Sequence, residues 1–135
     1  DRRDHCVYMM NALNHLPKSI GLYLGGMKQD ELKHSESCDV IIGTYSLAHE
    51  GLDIPSLDTL LMSTPKSNIV QAVGRILRET PGKQNIPRVV DVVDHWGPFY
   101  AQYKKRCQYY TQLGCFDDNK DQNTKSKTNY MFLED

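Results

Sequence analysis

The chain has 135 residues, a formal net charge of −1, and 39% hydrophobic and 24% charged residues. That length suits one domain with a hydrophobic core and is short for two, and the composition matches an ordinary soluble globular protein. The near-zero charge argues against a general electrostatic grip on nucleic acid, though not against a local basic stripe. No apolar run approaches the roughly 20 residues that span a bilayer, and nothing resembles a signal peptide. The four cysteines, Cys6, Cys38, Cys107 and Cys115, include no C-x-x-C pair. Zinc ligands usually come in such pairs, so reduced thiols in an intracellular compartment, nucleus or cytoplasm, are the expected state.

In chain order, Asp1-Arg2-Arg3-Asp4-His5 is charged and already helical in character, so the chain is expected to begin inside an element, as an excised fragment would. Arg3 to Leu16 predicts a helix with Cys6, Met10, Leu13 and Leu16 on one face, ended by Pro17. Ile20 to Leu24 reads as a short strand stopped by Gly25-Gly26, and Lys28 to His34 as a short polar helix. Asp39 to Gly43 holds the compact apolar run Val40-Ile41-Ile42 of a buried parallel strand.

Thr44 to Asp53 reads as a loop with room for one helical turn. A strand over Thr59–Met62, a turn over Ser63–Lys66, a helix over Asn68–Leu77 and a strand over Arg88–Val93 follow. Pro98 to Leu113 is the longest predicted helix, closed by Gly114. From residue 117 polar residues dominate, and the tail is expected to be disordered up to Tyr130-Met131-Phe132-Leu133, a segment suited to docking. Strands alternating with helices imply an α/β domain with a mainly parallel sheet covered on both faces. Ligands of such sheets sit beyond the carboxyl ends of the strands, which directs attention to Gly25-Gly26, to Thr44–Asp53 and to Thr64–Lys66.

The segment Gln71-Ala72-Val73-Gly74-Arg75-Ile76-Leu77-Arg78 is the most informative. At about 100° per residue, Gln71, Arg75 and Arg78 fall within a sector of roughly 60°, opposite Ile69, Val70, Ala72, Val73, Ile76 and Leu77. Such a helix buries one face and presents two guanidiniums and an amide on the other. Gly74 lies at the edge of the polar stripe, where a missing side chain lets another surface approach. A plain amphipathic helix, with Asn68 and Gln71 as a capping pair, is the competing reading of this octapeptide alone.

QAVGRILR resembles motif VI of superfamily 2 helicases, Q-x-x-G-R-x-x-R, and GTYSLAHEGLDIP, from Gly43 to Pro55, resembles their motif V. GLYLGGM is similar to the strand and glycine pair after motif IV, and STPKS to the lead-in to motif VI. VVDVVDHWGPFYAQYKKRCQYY is similar to the strand, D-x-x-D turn and R-x-x-Y-Y helix that close the lobe. The resemblance covers residues 1 to about 115. It implies a C-terminal RecA-like lobe over residues 1–116, a three-layer α/β fold expected to lack its first strand, followed by a polar tail over residues 117–135.

It further implies roles for individual residues. Arg78 matches the arginine finger that reaches the γ-phosphate of ATP, Arg75 its companion and Gln71 the polar residue beside them. Gly51 and Asp53 match positions near the nucleotide, with Glu50 a less defined neighbour. Thr44, with Tyr45 beside it, and the amides of Gly25 and Gly26 match positions that hold the sugar-phosphate backbone of the tracked strand. A guanidinium suits the charge that spreads over a transferring phosphoryl group. Hydroxyls and backbone N–H groups suit a grip indifferent to base sequence.

Read without the resemblance, Asp53 is a turn residue, Thr44 a strand-end former, and Lys104-Lys105-Arg106 either a phosphate-contacting patch or a solvated helix face. His49 and His95 carry no assignment. Trp96, with Pro98 and Phe99, reads as a packing plug more than a base-stacking platform.

No phosphate-cradling G-x-x-x-x-G-K-[ST] loop and no D-E-x-H or D-E-A-D box occurs in the chain. ATP with magnesium is therefore expected to be held mainly by an N-terminal RecA-like lobe of the same polypeptide, with no metal site and no membrane partner here. A motif V one residue longer than the DEAD-box form, and Gln71 where those proteins have histidine, resemble helicases of DNA repair, phages and large DNA viruses. DNA is the expected partner, with RNA as the alternative, and a viral origin fits the unusual tail, which would add a viral factory or virion to the settings. The rival readings are a catalytically silent docking lobe, a motor in another setting such as a remodeller, and an unrelated flavodoxin-like binder, for which Gly25-Gly26-Met27 is poor material.

Overall fold

The computed structural model describes residues 2–50, 54–77, 85–117 and 129–134, and the chain divides into two compact units, Asp1–Ile54 and Pro55–Asp135. The fold is α/β. Every strand pairing among the described residues is parallel, in one sheet of two strands and one of four.

In the first unit, α1 spans Arg3–Leu13, β1 Ile20–Tyr23, α2 Gln29–Glu36, β2 Val40–Gly43 and α3 Tyr45–Glu50. The first helix stops three residues before the expected Leu16. The Asn14 and Leu16 amides bond back to Asn11 and Leu13, the tightened turn that satisfies terminal carbonyls, and Pro17 disfavours helix at the residue before it. The polar α2 starts where the Glu31 carboxylate accepts the Lys28 N–H at 2.8 Å, one half of a capping box. The third helix, six residues long, extends the single helical turn expected in the loop after Thr44.

β1 alternates faces as a strand must. Ile20 and Leu22 pack with Cys6, Met9, Met10 and Leu13 of α1 and with Val40 and Ile42 of β2. Gly21 and Tyr23 face α2. The Ser35 hydroxyl donates to the Leu22 carbonyl at 2.7 Å, and the Tyr23 hydroxyl to Glu36 at 3.1 Å. The two-stranded sheet therefore carries a helix on each face. Gly21 makes the α2 side possible: a β-carbon there would lie 2.7 Å from the Cα of Ser35, closer than any side chain tolerates.

In the second unit, β3 spans Thr59–Met62, α4 Val70–Leu77, β4 Arg88–Val93, α5 Gly97–Gln112, β5 Phe116–Asp117 and β6 Asn129–Glu134. The sheet order is β3-β4-β6-β5. One face of β3 and β4 meets both helices: Leu60, Met62 and Val89 pack with Ile69, Val73, Tyr109, Tyr110, Leu113 and Cys115. Leu61, on the other face of β3, is 54% exposed. β4 is paired on both edges, which suits its near-continuous burial. The apolar segment Tyr130–Leu133 lies within β6, alongside β4, while 118–128 lie outside the described residues.

Candidate functional site

β1 and β2 are parallel neighbours in register, with Tyr23 opposite Gly43. The segments after them, Gly25-Gly26 and Thr44-Tyr45, thus leave the same edge of the sheet side by side, at the carboxyl ends where α/β ligands bind. Gly26 has φ +80°, the left-handed conformation that favours glycine, and the Met27 amide closes the turn onto the Leu24 carbonyl at 3.3 Å. The Arg3 guanidinium donates to the Gly25 carbonyl, so α1 brings a cation to the glycine turn. Sequence reading missed this residue, because nothing in local spacing links position 3 to position 25.

Thr44 is buried, and its hydroxyl lies 3.1 Å from that of Ser46. Tyr45 opens α3 and is half-buried. Glu50 ends α3, but its side chain lies outside the described residues, as do Gly51 and Asp53.

In the second unit, the expected division of α4 holds in its main features. Ile69, Val73 and Ile76 are buried at 1%, 0% and 4% exposure, Gln71 is exposed and Arg75 half-exposed. Val70 departs from the pattern and is exposed. Arg78 lies outside the described residues. A β-carbon at Gly74 would meet nothing within 4 Å among the described residues, so this glycine answers no steric need there.

The segment before α4 is tied down from an unexpected side. Asp91, central in β4, accepts Arg106 Nε at 2.7 Å and Nη2 at 2.9 Å, and the Tyr110 hydroxyl at 2.7 Å. The third nitrogen of the same guanidinium, Nη1, donates to the Lys66 carbonyl at 3.0 Å. Asp91 and Arg106 are each 1% exposed. Burial, and then the neighbouring Asp91 carboxylate, raise the Tyr110 phenol far above its ordinary range, which keeps it a donor.

Arg106 is therefore no part of a solvated or phosphate-contacting face; only Lys104 and Lys105 remain exposed. The signal for this trio was legible. An aspartate inside Val89-Val90-Asp91-Val92-Val93 must be buried with its strand, and a buried carboxylate requires a partner.

The residues after β4 correct a second expectation. Trp96 is 69% exposed and so is not a packing plug; its ring lies 5.7 Å from that of Phe99. His95 stacks on Tyr100 at 5.4 Å, and Lys104 Nζ lies 5.1 Å from the Tyr100 ring centre. All four cysteines are free thiols, and burial pushes Cys115 up to about 11. Among the described residues, no group of three or more His, Cys, Asp or Glu is placed to hold a metal ion. No described helix is long and apolar enough to cross a membrane.

No protein-family model and no solved structure matches the chain. Proteins of three viruses do. A protein of Acanthamoeba polyphaga mimivirus named, by inference, as an ATP-dependent RNA helicase is 43% identical over 93 residues, 68% of this chain and 18% of the relative. A protein of African swine fever virus named in the same way is 28% identical over 96 residues, 70% of this chain and 19% of the relative. A protein of Sulfolobus islandicus filamentous virus, named by inference as a helicase, is 35% identical over 86 residues, 62% of this chain and 15% of the relative. The chain spans less than a fifth of the length of these relatives. In sequence, it is similar to a segment of viral helicases.

Proposed function

We propose that this chain is the second RecA-like lobe of a superfamily 2, nucleic-acid-dependent ATPase of viral origin, working as a helicase or translocase. The observation that carries the reading is the two-faced α4, which buries Val73 and Ile76 along with the preceding Ile69 and leaves Gln71 and Arg75 on its polar side. The similarity to viral helicases supports it. In this reading Arg78 is the arginine finger, Arg75 its companion and Gln71 their polar neighbour. Gly51, Asp53 and Glu50 lie toward the nucleotide, and Gly25, Gly26, Thr44 and Tyr45 toward the tracked strand.

The donors present suit part of this task. A guanidinium and an amide on one helix face fit phosphate oxygens, and Arg3 beside the glycine turn adds a cation where the sugar-phosphate backbone would run. Magnesium is a different matter: it takes carboxylate and water oxygens, and no described cluster supplies them. The first lobe of the same polypeptide would hold the metal and most of ATP, so the isolated chain would not hydrolyse ATP. An arginine finger is worth about 10³–10⁵ in rate in related phosphoryl-transfer systems.

The test is the ATPase activity of the full-length protein, stimulated by single-stranded DNA and, separately, by RNA, in wild type and Arg78→Ala. Both nucleic acids are needed, since DNA is the partner expected from the motifs and two of the relatives are named as RNA helicases. The expected result is a fall of at least about a hundredfold in kcat with ATP binding kept. Unchanged turnover would sink the finger assignment of Arg78 and make a docking lobe without catalysis the reading to pursue.

A further inference from the structure

We infer that Arg106 is a positioning residue for the motor site, acting through the Lys66 carbonyl to set where α4 begins. The inference rests on the proposed role of α4. The guanidinium has three nitrogens, and two of them bind Asp91 side-on. A bidentate pair of that kind fixes the plane of the group. Because Asp91 is central in β4, the third nitrogen is held in one direction relative to the sheet, and there it meets the Lys66 carbonyl at 3.0 Å. Lys66 lies in the connection between β3 and α4, ahead of Ile69, whose carbonyl accepts the Val73 amide at 2.9 Å in the first turn of the helix.

The chain thus runs from β4 through one rigid side chain of α5 to the segment that leads into the helix bearing Gln71 and Arg75. Stability alone explains this arrangement poorly. A buried ion pair is often no better than apolar residues of the same volume, and the neighbouring Met62, Val89 and Tyr110 belong to the hydrophobic core of this unit. A planar fork does something an apolar side chain cannot: it grips a carboxylate and a main-chain carbonyl at once, at fixed angles. Lysine, with one nitrogen on a flexible stem, keeps the charge opposite Asp91 and loses the second grip. A displacement of an ångström at a catalytic group costs as much as about a hundredfold in rate, so this support is where a small change would be felt.

The experiment uses the full-length protein with Arg106→Lys, Tyr110→Phe and Arg75→Ala. Tyr110→Phe removes a bond to Asp91 and leaves the Lys66 contact in place, so it lowers the melting temperature and leaves kcat unchanged. Arg106→Lys is expected to lower kcat about 10- to 100-fold at unchanged KM for ATP. It should also speed hydrogen exchange of the amides over 67–73 by at least about tenfold while β4 amides keep their protection. A folded Arg106→Lys protein with wild-type kcat, or with wild-type exchange over 67–73, overturns the inference. If Arg75→Ala itself leaves turnover unchanged, the placement of α4 at the ATPase site has failed and takes the inference with it. Loss of rate in Arg75→Ala without loss in Arg106→Lys isolates the failure to Arg106.

Discussion

Each unit of the chain has an aspartate held by several donors at its sheet, and the two sites differ in burial more than in hydrogen-bond count. Asp39, just before β2, accepts the Ser19 amide at 2.9 Å and its hydroxyl at 2.7 Å, at the surface. Asp91, inside β4, accepts two nitrogens of Arg106 and the Tyr110 hydroxyl in a site closed to water. Water can replace what Asp39 loses. Nothing can replace the partners of Asp91, so the same chemistry is a local clip in one unit and a structural keystone in the other.

The largest expected effect follows from removing that keystone. Asp91→Ala takes the carboxylate away from the buried Arg106 guanidinium, and urea unfolding should register a loss of about 3–5 kcal/mol. A loss below about 1 kcal/mol would show that water reaches the pair and would erase the contrast with Asp39.

Two glycines sharpen the comparison next. Gly21→Ala drives a methyl group into Ser35 of α2 and should cost about 1–3 kcal/mol. Gly74→Ala meets open space among the described residues and should stabilise the protein by about 0.5–1 kcal/mol, the ordinary helix preference for alanine. If Gly74→Ala instead loses nucleic-acid-stimulated ATPase while gaining stability, the reason for the glycine lies with a surface that approaches α4 during function. If activity is unaffected, no such approach occurs at that position.

Trp96→Ala should change stability by no more than about 0.5 kcal/mol, because the side chain is mostly in water. A larger loss in thermal unfolding would mean that the indole is covered.

The smallest effect is the acid dependence of Asp39. Hydrogen bonds from the Ser19 side chain and then from its backbone hold the carboxyl below the ordinary aspartate range, with Lys18 adding a minor attraction. A lowered folded value means that the stabilisation is fully present above the unfolded aspartate pKa of about 3.9. It disappears as pH falls through the lower folded value. Asp39→Asn should therefore lower stability slightly at neutral pH, and its difference from wild type should shrink as pH falls below about 4.

Much of the element order was legible. Thr59–Met62 and Arg88–Val93 emerge with the expected bounds as β3 and β4, since compact apolar runs between polar turns leave a strand little choice. The two faces of α4 follow from helical periodicity alone. Other features were out of reach of local patterns. The third helix, Tyr45–Glu50, is short and mixed in composition, so neither period dominates it. The pairing of Asn129–Glu134 with β4 joins distant parts of the chain across a polar segment. The exposure of Trp96 depends on what the rest of its unit leaves uncovered.

What the amino-acid sequence determined by itself is therefore the alternation of strands and helices, the apolar stripe of α4 and the ordered motifs that resemble a helicase lobe, all properties of neighbours along the chain. The tertiary structure decided which polar groups meet. Arg3 reaches the Gly25 turn, Arg106 is shared between Asp91 and the Lys66 carbonyl, and Gly21 rather than Gly74 is required by a neighbouring helix. These are contacts between residues far apart in sequence, and burial, which sets their strength, exists only once the elements have packed.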